Sequence, residues 1–214
     1  MPRPYSELEL KVRSYTDFNM YLFFGVICVL YILLLFIQQS FIIAQIPAFQ
    51  FAQGTEMLIL RLIAGLKILG VPVMYGLKFT VIAFILWTGC FMWGYKVSYS
   101  KCWKIAMVAE LVFFIPTLLK TLWFILIQPE TNYFEFQAFY PFSLMSFFDY
   151  ESVQDKYIYV NQSLNLFEVA YWIILTYGID FAARKKKSVA NAIVFTTYVP
   201  LFLFWLWFYA TVYD

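Results

Sequence analysis

Four ionisable side chains, Glu110, Lys120, Glu168 and Asp180, interrupt stretches that are otherwise almost wholly apolar. A charge in such a run is expensive to keep in hydrocarbon, so each needs a partner or a task. Two chemistries fit: Lys120 and Glu168 neutralise each other as a structural ion pair, or the four mark a path for protons or ions. At 1.5 Å per helical residue, Lys120 stands about 24 Å above Lys104 and Glu168 about 7 Å below Ser163. In a hydrocarbon core about 30 Å thick those heights nearly coincide. The same count puts Glu110 and Asp180 near the inner side and leaves the middle uncharged. An ion pair is therefore expected rather than a relay, which would carry charge across the midplane.

Other chemistries are poorly served. The chain has no histidine, which removes His-metal sites, His-activated nucleophiles and a histidine relay. Cys28, Cys90 and Cys102 are scattered without CxxC spacing, and two of them fall in apolar runs, as small buried hydrophobes do. No Gly-rich phosphate loop, metal-ligand cluster or paired-carboxylate spacing is present. Glu110 alone could serve an embedded enzyme as acid or base. The expectation is a protein that is not an enzyme, with no cofactor, no metal and no nucleic-acid partner.

The elements that position these residues follow from hydropathy. Of 214 residues, 63% are hydrophobic and 13% charged, about half the charge of a soluble domain. Mean hydropathy is +0.73, so the solvent for most of the surface is lipid. The fold expected is an all-α polytopic bundle of five transmembrane helices, near 18–38, 72–95, 104–127, 163–181 and 189–213. Residues 1–17 form a polar cytoplasmic segment, possible as a short amphipathic helix, with no cleavable signal peptide ahead of the first span. Residues 55–70 are apolar over too short a length to cross, contain Arg61 and Lys67, and end at Gly70 and Pro72. They are expected to form a helix in the interface plane, or one that enters the bilayer partway and leads into the next span. The apolar segment 139–148, in the long connection 128–162, is likewise expected to be an interfacial or re-entrant helix.

Within the spans, Pro116 and Pro200 each remove a backbone donor and bend their helices. Gly89, Gly94 and Gly178 are expected to permit close helix approach. Phe202, Trp205 and Tyr209 share one face of the fifth span, a stripe that either faces lipid and a partner or packs inward.

Basic residues alternate between connections. Arg3, Lys11, Arg13, Lys96, Lys101, Lys104 and the run Arg184, Lys185, Lys186 and Lys187 make ten of the 15 and fall on one side. Arg61, Lys67 and Lys156 lie on the other, with Lys78 and Lys120 inside or near spans. The positive-inside rule then places the N-terminus in the cytoplasm and the C-terminus outside. The run 184–187 is a topology determinant, and also a candidate contact for anionic lipid head groups.

The stretch Ser163-Leu-Asn-Leu-Phe-Glu-Val-Ala-Tyr-Trp-Ile-Ile-Leu-Thr-Tyr-Gly-Ile179 resembles the signature near the end of the Yip-type membrane proteins. Pro141-Phe-Ser-Leu-Met-Ser-Phe147 resembles the segment that precedes it there, and Pro116 sits where that family often has proline. Five spans with a cytoplasmic N-terminus and an external C-terminus agree with it. Eukaryotic members of that family bind Rab-type GTPases through a long cytoplasmic N-terminal domain, where this chain has about 17 residues. A prokaryotic relative, in a bacterial inner membrane, is the better match. The resemblance implies a binding or scaffolding role and supplies no catalytic residues.

The function expected is thus that of a non-enzymatic subunit, scaffold or accessory factor of a larger membrane complex, whose partners are membrane lipids and other integral membrane proteins. The alternative is a small transporter or lipid-handling protein. A polar cavity reaching mid-depth would favour the alternative, and a sealed bundle with a flat apolar face would favour the scaffold.

Overall fold

Asn19 opens the first span: its side-chain oxygen accepts from the Tyr21 and Leu22 amides at 3.0 and 3.4 Å, satisfying two donors that a helix start leaves open. In the computed structural model, which describes residues 18–50, 54–127, 132–149, 152–184 and 187–212, this helix is α1 (Met20–Phe41). There follow a one-turn helix α2 (Pro47–Gln50), α3 (Thr55–Met92), α4 (Tyr99–Leu126), the short α5 (Tyr133–Ala138) and α6 (Asp155–Ser163), then α7 (Leu166–Ala183) and α8 (Lys187–Val212). Among the described residues there are no β-strands, and five helices are long and apolar enough to cross a membrane. The chain is an integral membrane protein with an all-α bundle. The expected segment 1–17 lies outside the described residues.

α4 packs against α1, α3 and α7, while α8 closes the ring between α7 and α3. Two glycines set the closest approaches. A Cβ at Gly178 would lie 2.5 Å from Ile105 Cγ2, and one at Gly89 would lie 2.8 Å from Thr197 Cγ2. Gly94 does something else. At φ +71° it turns the chain out of α3, the Tyr95 amide bonding the Cys90 carbonyl at 2.7 Å and the Gly94 amide that of Phe91 at 3.0 Å. This is a left-handed helix stop, where glycine avoids the Cβ penalty. The core joins Phe79, Leu86, Met107, Tyr171, Ile179 and Ile193, all almost fully buried. At the end bearing Lys96, Lys101, Lys104 and Arg184, the basic end, the Lys104 ammonium donates to the Phe18 carbonyl at 2.8 Å and Trp93 Nε1 to Thr196 Oγ1 at 3.2 Å.

Three segments that the sequence left open or placed otherwise are defined by the structure. Residues 55–70 take the second of their expected forms: they lead through Pro72 into the second span as one unbroken helix of 38 residues, about 57 Å long. Proline is tolerated there because neighbouring groups can re-satisfy the backbone of a membrane helix. Residues 139–148 do not form a re-entrant helix. They run extended into a single 3-10 turn, Leu144–Phe147, with Phe142 at φ +56°. A bridge between Ser143 and Asn165 pins them to the start of α7, the Leu144 amide bonding the Leu164 carbonyl at 2.9 Å. The stripe of Phe202, Trp205 and Tyr209 packs only in part: Phe202 and Tyr209 are half-buried, and Trp205 is 49% exposed. Trp205 Nε1 donates to the Tyr159 hydroxyl of α6 at 3.1 Å, Tyr209 lies tilted against the same ring at 4.5 Å, and Phe202 lies parallel to Tyr198.

Candidate functional site: a polar layer at mid-depth

α7 is the shortest span, 18 residues, because Asn165 starts it late. The Asn165 side chain accepts from the Glu168 amide at 2.8 Å and donates to the Gln162 and Ser163 carbonyls. Glu168 therefore sits in the first turn, where the positive end of the helix dipole favours a carboxylate. Its Oε1 accepts from Trp172 Nε1 at 2.8 Å and from the Tyr198 hydroxyl at 3.0 Å, with the residue only 7% exposed.

A second carboxylate lies across the bundle. Glu110 Oε1 on α4 accepts from Lys78 Nζ on α3 at 2.7 Å. The two partners differ sharply in exposure: the Lys78 side chain is 42% exposed and that of Glu110 is 1%. The ammonium also stands 4.8 Å from the Phe113 ring centroid, a cation–π contact. Glu110 Oε2 and the Tyr171 hydroxyl are buried and have no hydrogen-bond partner among the described residues, whereas the Tyr31 hydroxyl is within hydrogen-bond reach of Tyr75. Buried polar atoms are nearly always satisfied, so the unpartnered carboxylate oxygen and hydroxyl need an explanation.

Along their helices from the basic end, Tyr31, Glu110, Tyr171 and Tyr198 stand about 16 to 18 Å up, Lys78 about 21 Å and Glu168 about 22 Å, so the layer runs from mid-depth toward the opposite side. Tyr31 stacks on Tyr75 at 4.5 Å, and Tyr171 lies 5.1 Å from Phe113 and 5.5 Å from Tyr198. Above them, on the connection after α5, burial pushes the Tyr140 hydroxyl well above the usual tyrosine range, and Glu110 and Glu168 push it the same way. Pro116, fully buried on α4, leaves a carbonyl one turn back without its usual donor, and Thr117 bonds the Phe113 carbonyl at 2.8 Å in the same turn.

The charged residues singled out from sequence are thus regrouped. Lys120 and Glu168 are not paired. The Lys120 ammonium stands 4.5 Å from the Phe136 ring centroid under α5, far from the Trp172–Tyr198 clasp that holds Glu168. Glu110 is not an inner-side acid. It lies at mid-depth in a pair with Lys78, a lysine that sequence reasoning left unassigned. Asp180 does lie toward the basic end, buried at 8%, and its carbonyl accepts the Arg184 amide at 2.9 Å where the chain turns left-handed. Lys185 and Lys186 fall outside the described residues, and Lys187 begins α8. Among the described residues no cluster of three or more metal-ligating side chains occurs.

A signal for the missed pair was present. Lys78 is a lone cation deep within its apolar run, and no connection could claim it. Comparison with protein-family models, with curated proteins and with solved structures finds no match for this chain.

Proposed function

We propose that this membrane protein is a small transporter whose working centre is the Lys78–Glu110 pair. One observation carries the proposal: a carboxylate at 1% exposure shares one oxygen with a half-exposed ammonium while its other oxygen has no partner among the described residues. A buried ion pair adds little to stability over apolar packing, so five apolar helices gain little from one here. Intramembrane ionisable groups commonly face a substrate or ion pathway. The arrangement can open. An anion competes with Glu110 for Lys78, a cation or proton competes with Lys78 for Glu110, and the Tyr31 and Tyr171 hydroxyls offer uncharged hydrogen bonds to whatever displaces the pair. The Pro116 turn, where the α4 ladder is broken, is the natural flexing point.

The test combines access with flux. A cysteine replacing Lys78 in a background free of other cysteines should react with a water-soluble cationic thiol reagent in membranes. Vesicles containing the wild-type protein and a pH-sensitive dye should respond to imposed gradients of protons, alkali cations or small carboxylates, and Glu110→Gln should abolish that response. An unreactive position 78, with no flux under any of those gradients, would overturn the proposal.

A second reading, a scaffold for other membrane proteins, is favoured by residues 55–70 of α3. None of those whose exposure is described is buried, and Leu58, Leu62, Leu66 and Leu69 are each more than half exposed. This is the role that resemblance to Yip-type proteins implies. Its test is co-purification in mild detergent: Leu62→Gln and Leu66→Gln should release a partner that the wild type retains. On either reading the basic end is assigned to the cytoplasm of a bacterial inner membrane, and a cysteine at Ser100 should resist impermeant thiol reagents in intact cells.

A further inference from the structure

Between α1 and α3 an open groove of about 500 Å³ ends at Tyr75, which stacks on Tyr31 of the polar layer. Its walls are apolar, with Leu35 on α1 and Ile63, Val71 and Met74 on α3, and Tyr75 lies at its inner end. Gly70 faces open space on this lining: a Cβ there would meet nothing within 4 Å. The one charged group on the lining is Lys67.

The ends of the groove lie at different depths. Along α3 from Met92, Tyr75 stands about 26 Å up and Lys67 about 38 Å. Along α3 the Lys67 end of the groove is therefore about 12 Å farther from the basic end than the Tyr75 end, and on an oblique helix it is the shallower of the two, nearer the head groups. A lysine at that level extends its ammonium toward the interface while its stem covers apolar surface. We infer that the groove holds an anionic glycerophospholipid of the leaflet opposite the basic end, one acyl chain lying along Leu35, Val71 and Met74 and the phosphate on Lys67. The occupant is fixed by charge complementarity and depth together: an apolar slot with one cation at its interfacial rim matches one tail beneath one phosphate. The site does not depend on the transporter proposal.

The test uses phosphatidylglycerol and phosphatidylcholine bearing a photoactivatable diazirine on one acyl chain, with the full-length protein in vesicles. Cross-links should map by mass spectrometry to Leu35, Leu66, Val71 or Met74 and favour phosphatidylglycerol. Lys67→Gln should reduce the phosphatidylglycerol adducts about fivefold, the contribution of one lysine near an anionic surface, and leave phosphatidylcholine adducts unchanged. Gly70→Phe, which fills the slot at an open position, should remove adducts of both lipids there while thermal stability is retained. Adducts spread evenly over lipid-facing positions of α1, α3 and α8 would overturn the site, as would an unchanged head-group preference in Lys67→Gln. Undiminished adducts in Gly70→Phe would overturn the seat of the chain.

Discussion

Replacing Lys78 by Met removes the partner of Glu110 Oε1 and leaves a carboxylate at 1% exposure whose other oxygen already has no partner among the described residues. Breaking a buried ion pair by deleting one side costs about 3–5 kcal/mol, because the remaining charge stays buried. The ammonium here is half exposed, so solvent already weakens the pair and the lower figure applies, about 3 kcal/mol. For a chain of this size one kcal/mol moves Tm by about 2–4 °C, so Lys78→Met should melt about 6–12 °C lower. Glu110→Gln is milder. It leaves the charge on the flexible, half-exposed partner, which can reach toward solvent, and should cost about 1 kcal/mol. The double variant buries no charge and should melt near Glu110→Gln alone, a coupling of about 2–3 kcal/mol. Intrinsic tryptophan fluorescence during heating in one mild detergent measures all four proteins. Strictly additive losses would refute the reasoning, as would a Lys78→Met variant no less stable than Glu110→Gln.

Tyr198→Phe deletes the hydroxyl that donates to Glu168 at 3.0 Å, and a hydrogen bond to a charged group is worth about 1.5–3 kcal/mol, so Tm should fall by about 3–12 °C in the same melt. Asn165→Ala removes the cap of α7 and should cost about 1–2 kcal/mol, with faster proteolysis of the 142–165 region as an independent readout. Gly178→Leu forces a side chain where even a Cβ would lie 2.5 Å from Ile105, and should cost about 1–3 kcal/mol, with partial recovery when Ile105→Ala is added.

Five spans were legible because apolar runs and their lengths report the solvent directly, whatever the packing. Gly89 and Gly178 were legible for a related reason: a missing side chain inside a span has few uses besides close approach. The charge pairing was not legible, and the reason is rotational. Lys120 and Glu168 match in height, but height says nothing about which face of a helix a residue occupies. Glu168 looks toward Tyr198 on α8, and Lys120 looks toward Phe136 under α5. Glu110 was misplaced by a boundary. α4 begins at Tyr99 rather than Lys104, and those five residues raise Glu110 by about 7.5 Å, from the inner side to mid-depth. Pro72 is deceptive in the same manner, since proline usually marks a helix boundary and here the helix runs on.

The length of α3 has a mechanical consequence for the bilayer. A 38-residue helix exceeds the hydrocarbon thickness by about 27 Å, and residues 55–70 are too apolar to stand in water. The helix must lie obliquely, and the excess spreads sideways in the leaflet opposite the basic end. That leaflet has to part for an extra cylinder about 24 Å long and 10 Å wide, while the other does not. The protein is then wider in one leaflet than in the other, an asymmetry set by the length and apolarity of one helix.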